Sequence, residues 1–317
     1  MRVLFAGSPA IAVPSLEVLC SIKEIELVGV LTNPDSAKGR SSALIPTEIG
    51  EAAQKLGISS VFKPEKLDSA AREQITAFNF NLLISFAYVR LFGPKFLALF
   101  PLGGINIHPS LLPKYRGPSP IQAAILNRDI VTGITIQYLA KEMDCGDILA
   151  SEQLQLTGME TAGSLSGIVS QRAAFLLPEA LKKIVEGGKG RAQDESKASY
   201  CSLISRDDGL IDWKKNALEI EAKIRAFTPW PLCRTIHNRR ELFILKADIF
   251  DGDYFSEAGG KEIIPGQVLG MDKQNGILIQ TGDGILSVTE LQYQAKKALF
   301  WRDFLNGARD FTGSVLG

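Results

Sequence analysis

Two polar side chains stand at the end of an apolar run with a spacing that suits acyl-transfer chemistry. Asn106 and His108 alternate with Ile105 and Ile107, so in a strand their side chains share one face. The run stops at Pro109, which places both polar groups at a strand end rather than within a core. An amide NH2 can donate to an oxyanion, and an imidazole can move amine protons or stabilise the oxyanion's charge. The pair therefore suits transfer of an acyl group to an amine.

A carboxylate that could complete this site lies in a second break of the chain, Met143-Asp144-Cys145-Gly146-Asp147. Asp144 could orient the imidazole or hold a water molecule that carries a proton. The chain has only two histidines, and His237 lies in a polar turn, so His108 is the better candidate for an imidazole role. Asn, His and Asp also serve as turn and capping residues, so the spacing alone leaves a structural role open. Cys145 could be a nucleophile, but it is more simply interpreted as a small loop residue.

The longer motif around these residues resembles the signature of the folate-dependent formyltransferases. It runs Asn106-Ile107-His108-Pro109-Ser110-Leu111-Leu112-Pro113-Lys114-Tyr115-Arg116-Gly117 and is followed by the turn at Asp144. The resemblance implies transfer of a formyl group from 10-formyltetrahydrofolate to an amine, with Asn106, His108 and Asp144 as the catalytic residues. It also implies that the loop after the histidine lines the folate pocket with Ser110, Leu111, Leu112 and Pro113. This chemistry needs no metal, and the sequence contains no metal-ligand spacing.

Short apolar segments alternate with helix-like segments through the first half of the chain. Strands are predicted at 3–6, 25–31, 82–86, 105–108 and 134–138. The alternation predicts an α/β fold with a Rossmann-like, mostly parallel sheet, in which ligands bind at the carboxyl ends of strands. Phe86 and Tyr88 lie at such an end, so both are predicted to contact the folate. The first turn lacks the dinucleotide fingerprint and no P-loop motif occurs, which disfavours an NAD enzyme or a P-loop NTPase.

The pattern changes after a polar, aperiodic stretch at 191–199. Short strands at 242–247, 266–271, 276–281 and 285–291, separated by Gly or Asp turns, predict a small closed β-barrel of the OB-like kind. We therefore predict an N-terminal formyltransferase catalytic domain over 1–189, a linker over 190–207 and a C-terminal OB-like domain over 208–317.

Parts of this second half resemble the methionyl-tRNA formyltransferase family in particular. They include Asp208-Gly209-Leu210-Ile211-Asp212-Trp213 and Ile224-Arg225-Ala226-Phe227-Thr228-Pro229-Trp230-Pro231. The resemblance implies that the acceptor is the α-amine of initiator methionyl-tRNA, formylated for translation initiation. It also implies that the C-terminal domain touches the tRNA.

A long loop after the second predicted strand is a further candidate for RNA contact. It runs over 33–42 and contains Lys38 and Arg40. The resemblance implies that this loop enters the end of the acceptor stem, with Arg40 important for recognition and Lys38 in support. A planar guanidinium can grip a phosphate or stack on an unpaired base. Two features depart from the family pattern: Ser41-Ser42 where many relatives continue with basic residues, and Val89 where they often have glycine.

The overall composition limits the class of protein but does not indicate a binding partner. Acidic and basic residues number 35 each, so net charge neither supports nor excludes nucleic acid. The four cysteines are scattered without a CxxC pair, which fits a reducing cytoplasm, and no run of about 20 apolar residues suggests a membrane span. We expect a cytoplasmic monomer. Two alternatives stay open: the same chemistry on a sugar-nucleotide amine or water, and an RNA-binding module without enzymatic activity.

Overall fold

The computed structural model describes residues 1–37, 43–252 and 263–317. These residues divide into two compact units, each assembled from three stretches of chain. The first unit contains Met1–Pro120, Val131–Gln155 and Ser166–Ser202. The second contains Ile121–Ile130, Leu156–Leu165 and Leu203–Gly317.

A seven-stranded sheet, counted over the described residues, forms the framework of the first unit, in the order β5-β2-β1-β6-β7-β8-β9. Its strands are β1 (Arg2–Gly7), β2 (Glu26–Leu31), β5 (Val61–Phe62), β6 (Leu82–Phe86), β7 (Gly104–His108), β8 (Val131–Tyr138) and β9 (Ile148–Gln155). The first five are mutually parallel, whereas β8 is antiparallel to both β7 and β9. The predicted mostly parallel α/β sheet is therefore confirmed. A separate short pair, β3 (Ser36–Ala37) and β4 (Leu44–Ile45), flanks the undescribed residues 38–42.

The helices that lie between or after these strands in the chain are α1 (Val13–Leu19), α2 (Glu48–Lys55), α3 (Ser69–Thr76), α4 (Pro94–Leu97), α5 (Pro120–Leu126) and α6 (Ala162–Val185). Most of α5 belongs to the second unit, and α6 follows the last strand of the sheet. Local chemistry sets their ends: α2 begins where the Thr47 side chain accepts the backbone N–H of Gly50 at 3.0 Å. The 24-residue helix α6 ends shortly before Gly187, which adopts a left-handed φ of 71°.

Packing in the core of the first unit holds the strands whose carboxyl ends carry the candidate site. Every residue of β6 is buried, as expected for a parallel strand covered on both faces. Leu83 of this strand packs in one apolar cluster with Leu4, Phe96 and Phe100. Because β6 and β7 are held in parallel register, Ser85 lies beside Asn106 near the carboxyl edge of the sheet.

The second unit is built on an antiparallel sheet in the order β10-β11-β14-β13-β12, with β15 paired to β14. Its elements are α7 (Ala217–Ala226), β10 (Cys233–His237), β11 (Arg240–Phe250), β12 (Val268–Asp272), β13 (Gly276–Gln280), β14 (Ile285–Tyr293), β15 (Leu299–Phe300) and α8 (Trp301–Gly307). The four strands predicted from the sequence correspond to β11 to β14, and β10 and β15 were not predicted. Closure of this sheet into an OB-like barrel stays a prediction.

Within the described ranges of the chain, no helix combines the length and the apolar character needed to cross a membrane.

Candidate active site

Strand β7 carries Asn106 and His108 to the carboxyl edge of the parallel part of the sheet. His108 is 3% exposed and is the last residue of the strand, opposite Thr135 of β8. Asn106 is half-buried and faces Gln137 of β8. The alternation in sequence thus places the amide and the imidazole on one face.

The imidazole of His108 is oriented by the loop that follows it. Its Nε2 lies 2.8 Å from the backbone carbonyl oxygen of Tyr115, and because a carbonyl can only accept, Nε2 carries the proton. The neutral ring therefore presents an unprotonated Nδ1, which lies 3.5 Å from Oδ2 of Asp144. Burial lowers the pKa of His108, and the Asp144 carboxylate and the Tyr115 carbonyl oppose this shift only in part. The site therefore favours a neutral imidazole that can take up a proton at Nδ1.

Asp144 reaches this pair from a tight turn between β8 and β9. Its φ of 56° lies in the left-handed region, which aspartate tolerates better than most residues. The turn also requires Gly146, since a Cβ there would lie 1.8 Å from the carbonyl oxygen of Tyr138. In the turn, Oδ2 accepts the backbone N–H of Gly117 at 2.8 Å, and Oδ1 lies 3.5 Å from Nδ2 of Asn106. The structure thus brings the predicted trio together.

Comparison with known proteins identifies the family of this chain. Residues 1–181 match the model of the formyl transferase family, and residues 203–309 match that of the formyl transferase C-terminal domain. The chain belongs to the formyl transferase family.

Relatives of this formyl transferase extend over its whole length. It is 47% identical to the methionyl-tRNA formyltransferase of Treponema denticola over 98% of each chain, and 45% identical to that of Treponema pallidum over 97% of each. The fold resembles that of WlaRD, a sugar 3N-formyl transferase, with a TM-score of 0.65 and 21% identity over 94% of this chain and 99% of the other. At that identity the likeness to WlaRD shows the fold alone.

Sequence reasoning missed a set of polar side chains behind the trio of this formyl transferase. Gln137 of β8 is 1% exposed and donates from Nε2 to Oδ1 of Asp144 at 3.0 Å. Gln193 donates from its own Nε2 to Oε1 of Gln137 at 3.1 Å. Arg116 donates from Nε and Nη2 to Oε1 of Gln193 at 3.1 and 2.8 Å. Arg116 lies within the motif that follows His108, and Gln193 lies in the polar stretch at 191–199. Their positions in the sequence do not indicate that they are linked to Asp144 by hydrogen bonds.

The loop predicted to line the folate pocket follows His108 closely. Ser110 is buried, Leu112 donates its backbone N–H to the Thr135 hydroxyl at 3.1 Å, and the bond from Leu112 to Pro113 is cis. Leu111 packs over Gly133 of β8, where a Cβ would lie 2.4 Å from Cδ2 of the leucine. These contacts fix the loop against β8.

The two aromatic residues predicted to contact folate differ in exposure. Phe86, the last residue of β6, is 1% exposed, whereas Tyr88 is half-buried and stacks on Phe92 with ring centroids 5.4 Å apart. The neighbouring Val89 is 76% exposed. Tyr88 is therefore the member of the pair whose ring has surface available to a ligand.

Two other predictions concern the tRNA loop and a metal. Lys38 and Arg40 lie outside the described residues, so their placement stays a prediction. No group of three or more His, Cys, Asp and Glu side chains that could hold a metal ion occurs among the residues that the structure describes.

Proposed function

We propose that this formyl transferase moves the formyl group of 10-formyltetrahydrofolate to the α-amino group of initiator methionyl-tRNA, giving N-formylmethionyl-tRNA. The observation that carries the proposal is the convergence of Asn106, His108 and Asp144, with the unprotonated Nδ1 of the imidazole facing the carboxylate. The choice of acceptor is supported by relatives that bear the name methionyl-tRNA formyltransferase and match the chain from end to end.

In this reaction the amine attacks the formyl carbon, and the carbonyl oxygen of the formyl group becomes an oxyanion. Nδ2 of Asn106 donates a hydrogen bond to that oxyanion, and this bond stabilises the charged oxygen more than it stabilises the neutral carbonyl of the ground state. The α-amine is partly neutral near pH 7, because its unperturbed pKa is about 7.7–8.0, so little activation is needed.

The proton lost by the amine goes to Nδ1 of His108, which is the nitrogen without a hydrogen. The resulting imidazolium is stabilised by the Asp144 carboxylate at 3.5 Å and adds positive charge beside the oxyanion. The intermediate then collapses by breaking the bond between the formyl carbon and the folate nitrogen, which receives the proton from His108 or through water held by Asp144. No acyl-enzyme forms, so Cys145 has no covalent role.

The residues around the site suit a folate donor. Leu111, Leu112 and Pro113 supply an apolar wall, and the half-buried ring of Tyr88 supplies an aromatic surface. Ser110, which precedes these residues in the chain, and Phe86, the last residue of β6, are both buried. An apolar pocket with a few fixed polar groups is the usual form of a cofactor or small-molecule site.

The tRNA-facing part of the proposal rests on the second half of the chain and on one loop. We assign residues 1–189 to the catalytic domain, 190–207 to a linker whose first part packs on that domain, and 208–317 to a tRNA-contacting OB-like domain. The family matches at 1–181 and 203–309 support this division. Arg40, with Lys38, is assigned to the acceptor stem. We further propose a cytoplasmic monomer.

Transfer of labelled formyl from 10-formyltetrahydrofolate to initiator methionyl-tRNA tests the proposal. Uncharged tRNA and an amino-sugar nucleotide serve as controls. Label on charged tRNA alone is the expected result. Label on the sugar nucleotide, or its release as formate, would keep the trio and overturn the acceptor.

A further inference from the structure

The turn that carries Asp144 is held by an amide from a distant part of the chain. Nε2 of Gln193 donates to the backbone carbonyl oxygens of Asp144 and Gly146, at 2.8 and 2.7 Å. Asp144 sits at a φ of 56°, a conformation that costs free energy for a residue with a side chain. A contact with carbonyls on both sides of Cys145 helps to hold the turn in that conformation.

The same amide fixes the direction of a second one. The NH2 group of Gln193 has two hydrogens for three acceptors, so it shares a hydrogen with Oε1 of Gln137, which at 3.1 Å is the longest of the three contacts. Because an NH2 group offers donors only, the oxygen end of Gln137 faces Gln193. The NH2 end of Gln137 must then face the other way, where Oδ1 of Asp144 lies 3.0 Å from it. A side-chain amide accepts at its oxygen and donates at its NH2 group. A donor that binds the oxygen therefore leaves the NH2 group to face the opposite side.

Arg116 sets the direction of the whole chain of hydrogen bonds. A guanidinium has donors only, so the oxygen of Gln193, which receives two N–H groups from Arg116, is forced towards it. Arg116 is 1% exposed, and both carboxylate oxygens of Glu195 accept from it at 2.8 and 2.6 Å. Hydrogen bonding to Glu195 raises the pKa of Arg116, so the arginine remains a donor throughout the working pH range.

We propose that Gln193, directed by Arg116, is a positioning residue for formyl transfer, which points the NH2 group of Gln137 at Asp144 and holds the Asp144 turn. This inference rests on the proposed function for its kinetic consequence. With Gln137 and the N–H of Gly117 both donating to it, the Asp144 carboxylate is kept as an acceptor beside Nδ1 of His108. The two residues lie far apart in sequence, because Gln193 comes 49 residues after Asp144.

The Gln193→Glu variant tests this role by removing the NH2 group, while it adds a negative charge beside Arg116. A glutamate keeps an oxygen for Arg116 but loses the NH2 group that reaches Gln137, Asp144 and Gly146. We expect kcat to fall about 10- to 100-fold, with the KM for 10-formyltetrahydrofolate changed by less than about 3-fold, because the misplaced group acts on the reacting atoms rather than on donor binding. In a crystal structure of the variant, we expect the Asp144 turn to be displaced.

A matched control and a second variant complete the test. Gln153→Glu makes the same change at an exposed residue of β9 and should leave kcat unchanged. Gln137→Met removes the NH2 group that donates to Asp144. The fold-decrease in kcat of the double variant Gln137→Met with Gln193→Glu should be smaller than the product of the two single decreases, because both residues act through one chain of hydrogen bonds.

Several outcomes would overturn the positioning role. These are an unchanged kcat in Gln193→Glu, an unmoved Asp144 turn in its crystal structure, or single losses that simply multiply. Absence of any transfer to methionyl-tRNA by the unmodified protein would instead overturn the proposed function, and the crystallographic comparison would still decide the positioning role.

Discussion

Nε2 of His108 donates to the backbone carbonyl oxygen of Tyr115 at 2.8 Å, which leaves Nδ1 as the nitrogen that faces Asp144. Tyr115 itself has a φ of 59°, so a locally strained backbone presents that carbonyl to the imidazole. The choice of tautomer is thus made by the loop after the strand.

Replacing the amide donor should slow the chemical step. We expect Asn106→Ala to lower kcat by about 100- to 1000-fold, the usual cost of one lost oxyanion donor. Steady-state kinetics with initiator methionyl-tRNA measure the effect. Asn127→Ala, at an exposed asparagine beyond the end of α5, is the control. Near-normal turnover in Asn106→Ala would remove the amide from the mechanism.

The pH dependence of the reaction should report the neutral imidazole. Burial lowers the pKa of His108, so the ring protonates only below the ordinary histidine value of about 6.5. Since the protonated ring cannot take the amine proton, kcat/KM should fall as pH drops through this lowered pKa. A profile of kcat/KM against pH measures it, with the amine's own ionisation determined separately. After the amine's ionisation is divided out, a remaining acid limb centred above about 6.5 would contradict a desolvated, neutral histidine.

The same shift has a consequence for stability. The unfolded chain binds a proton at His108 more readily than the folded chain does. The contribution of His108 to the free energy of unfolding is therefore complete above its pKa in the unfolded chain, and it is lost as pH falls towards its lower pKa in the folded chain. We expect His108→Gln, which keeps a side-chain N–H donor, to weaken the fall in unfolding free energy between about pH 7 and about pH 5. Urea unfolding at the two pH values measures this. The buried His237, whose pKa is also lowered by burial, contributes to the dependence that remains. An unaltered slope in His108→Gln would contradict the prediction.

Neutralising the carboxylate should be costly even though the shape is kept. In Asp144→Asn, an NH2 group would face either the N–H of Gly117 or the NH2 of Gln137, so one donor would lose its acceptor. Loss of the charge beside His108 adds to this, and we expect kcat to fall by about 100- to 10,000-fold. Single-turnover formyl transfer measures the chemical step directly. A loss confined to KM would show that Asp144 serves binding alone.

The glycine of the Asp144 turn should tolerate no side chain. A Cβ at Gly146 would lie 1.8 Å from the carbonyl oxygen of Tyr138, so Gly146→Ala must shift the backbone. We expect the free energy of unfolding to drop by about 1–3 kcal/mol, together with a loss of activity. Gly167→Ala is the matched control, since a Cβ in that part of α6 meets no atom within 4 Å. Equal unfolding free energies for the two variants would contradict the close approach.

Much of the first unit could be predicted from its pattern of apolar residues. The strands β1, β2 and β6 are short and mostly apolar, which is typical of a parallel sheet covered on both faces. Strand β9 was missed because its first residues are buried while the rest alternate, so neither a buried-strand nor a half-buried pattern fits all of it.

The sequence by itself determined the types of the reacting groups and two of their positions. The period of a strand puts Asn106 and His108 on one face, and the motif around them indicates the family. Only the tertiary structure decided which nitrogen of His108 is free, and that Arg116, Gln193 and Gln137 lead to Asp144. The reason is physical: a hydrogen bond depends on distance and direction in space, and residues far apart in the chain carry no spacing that encodes either.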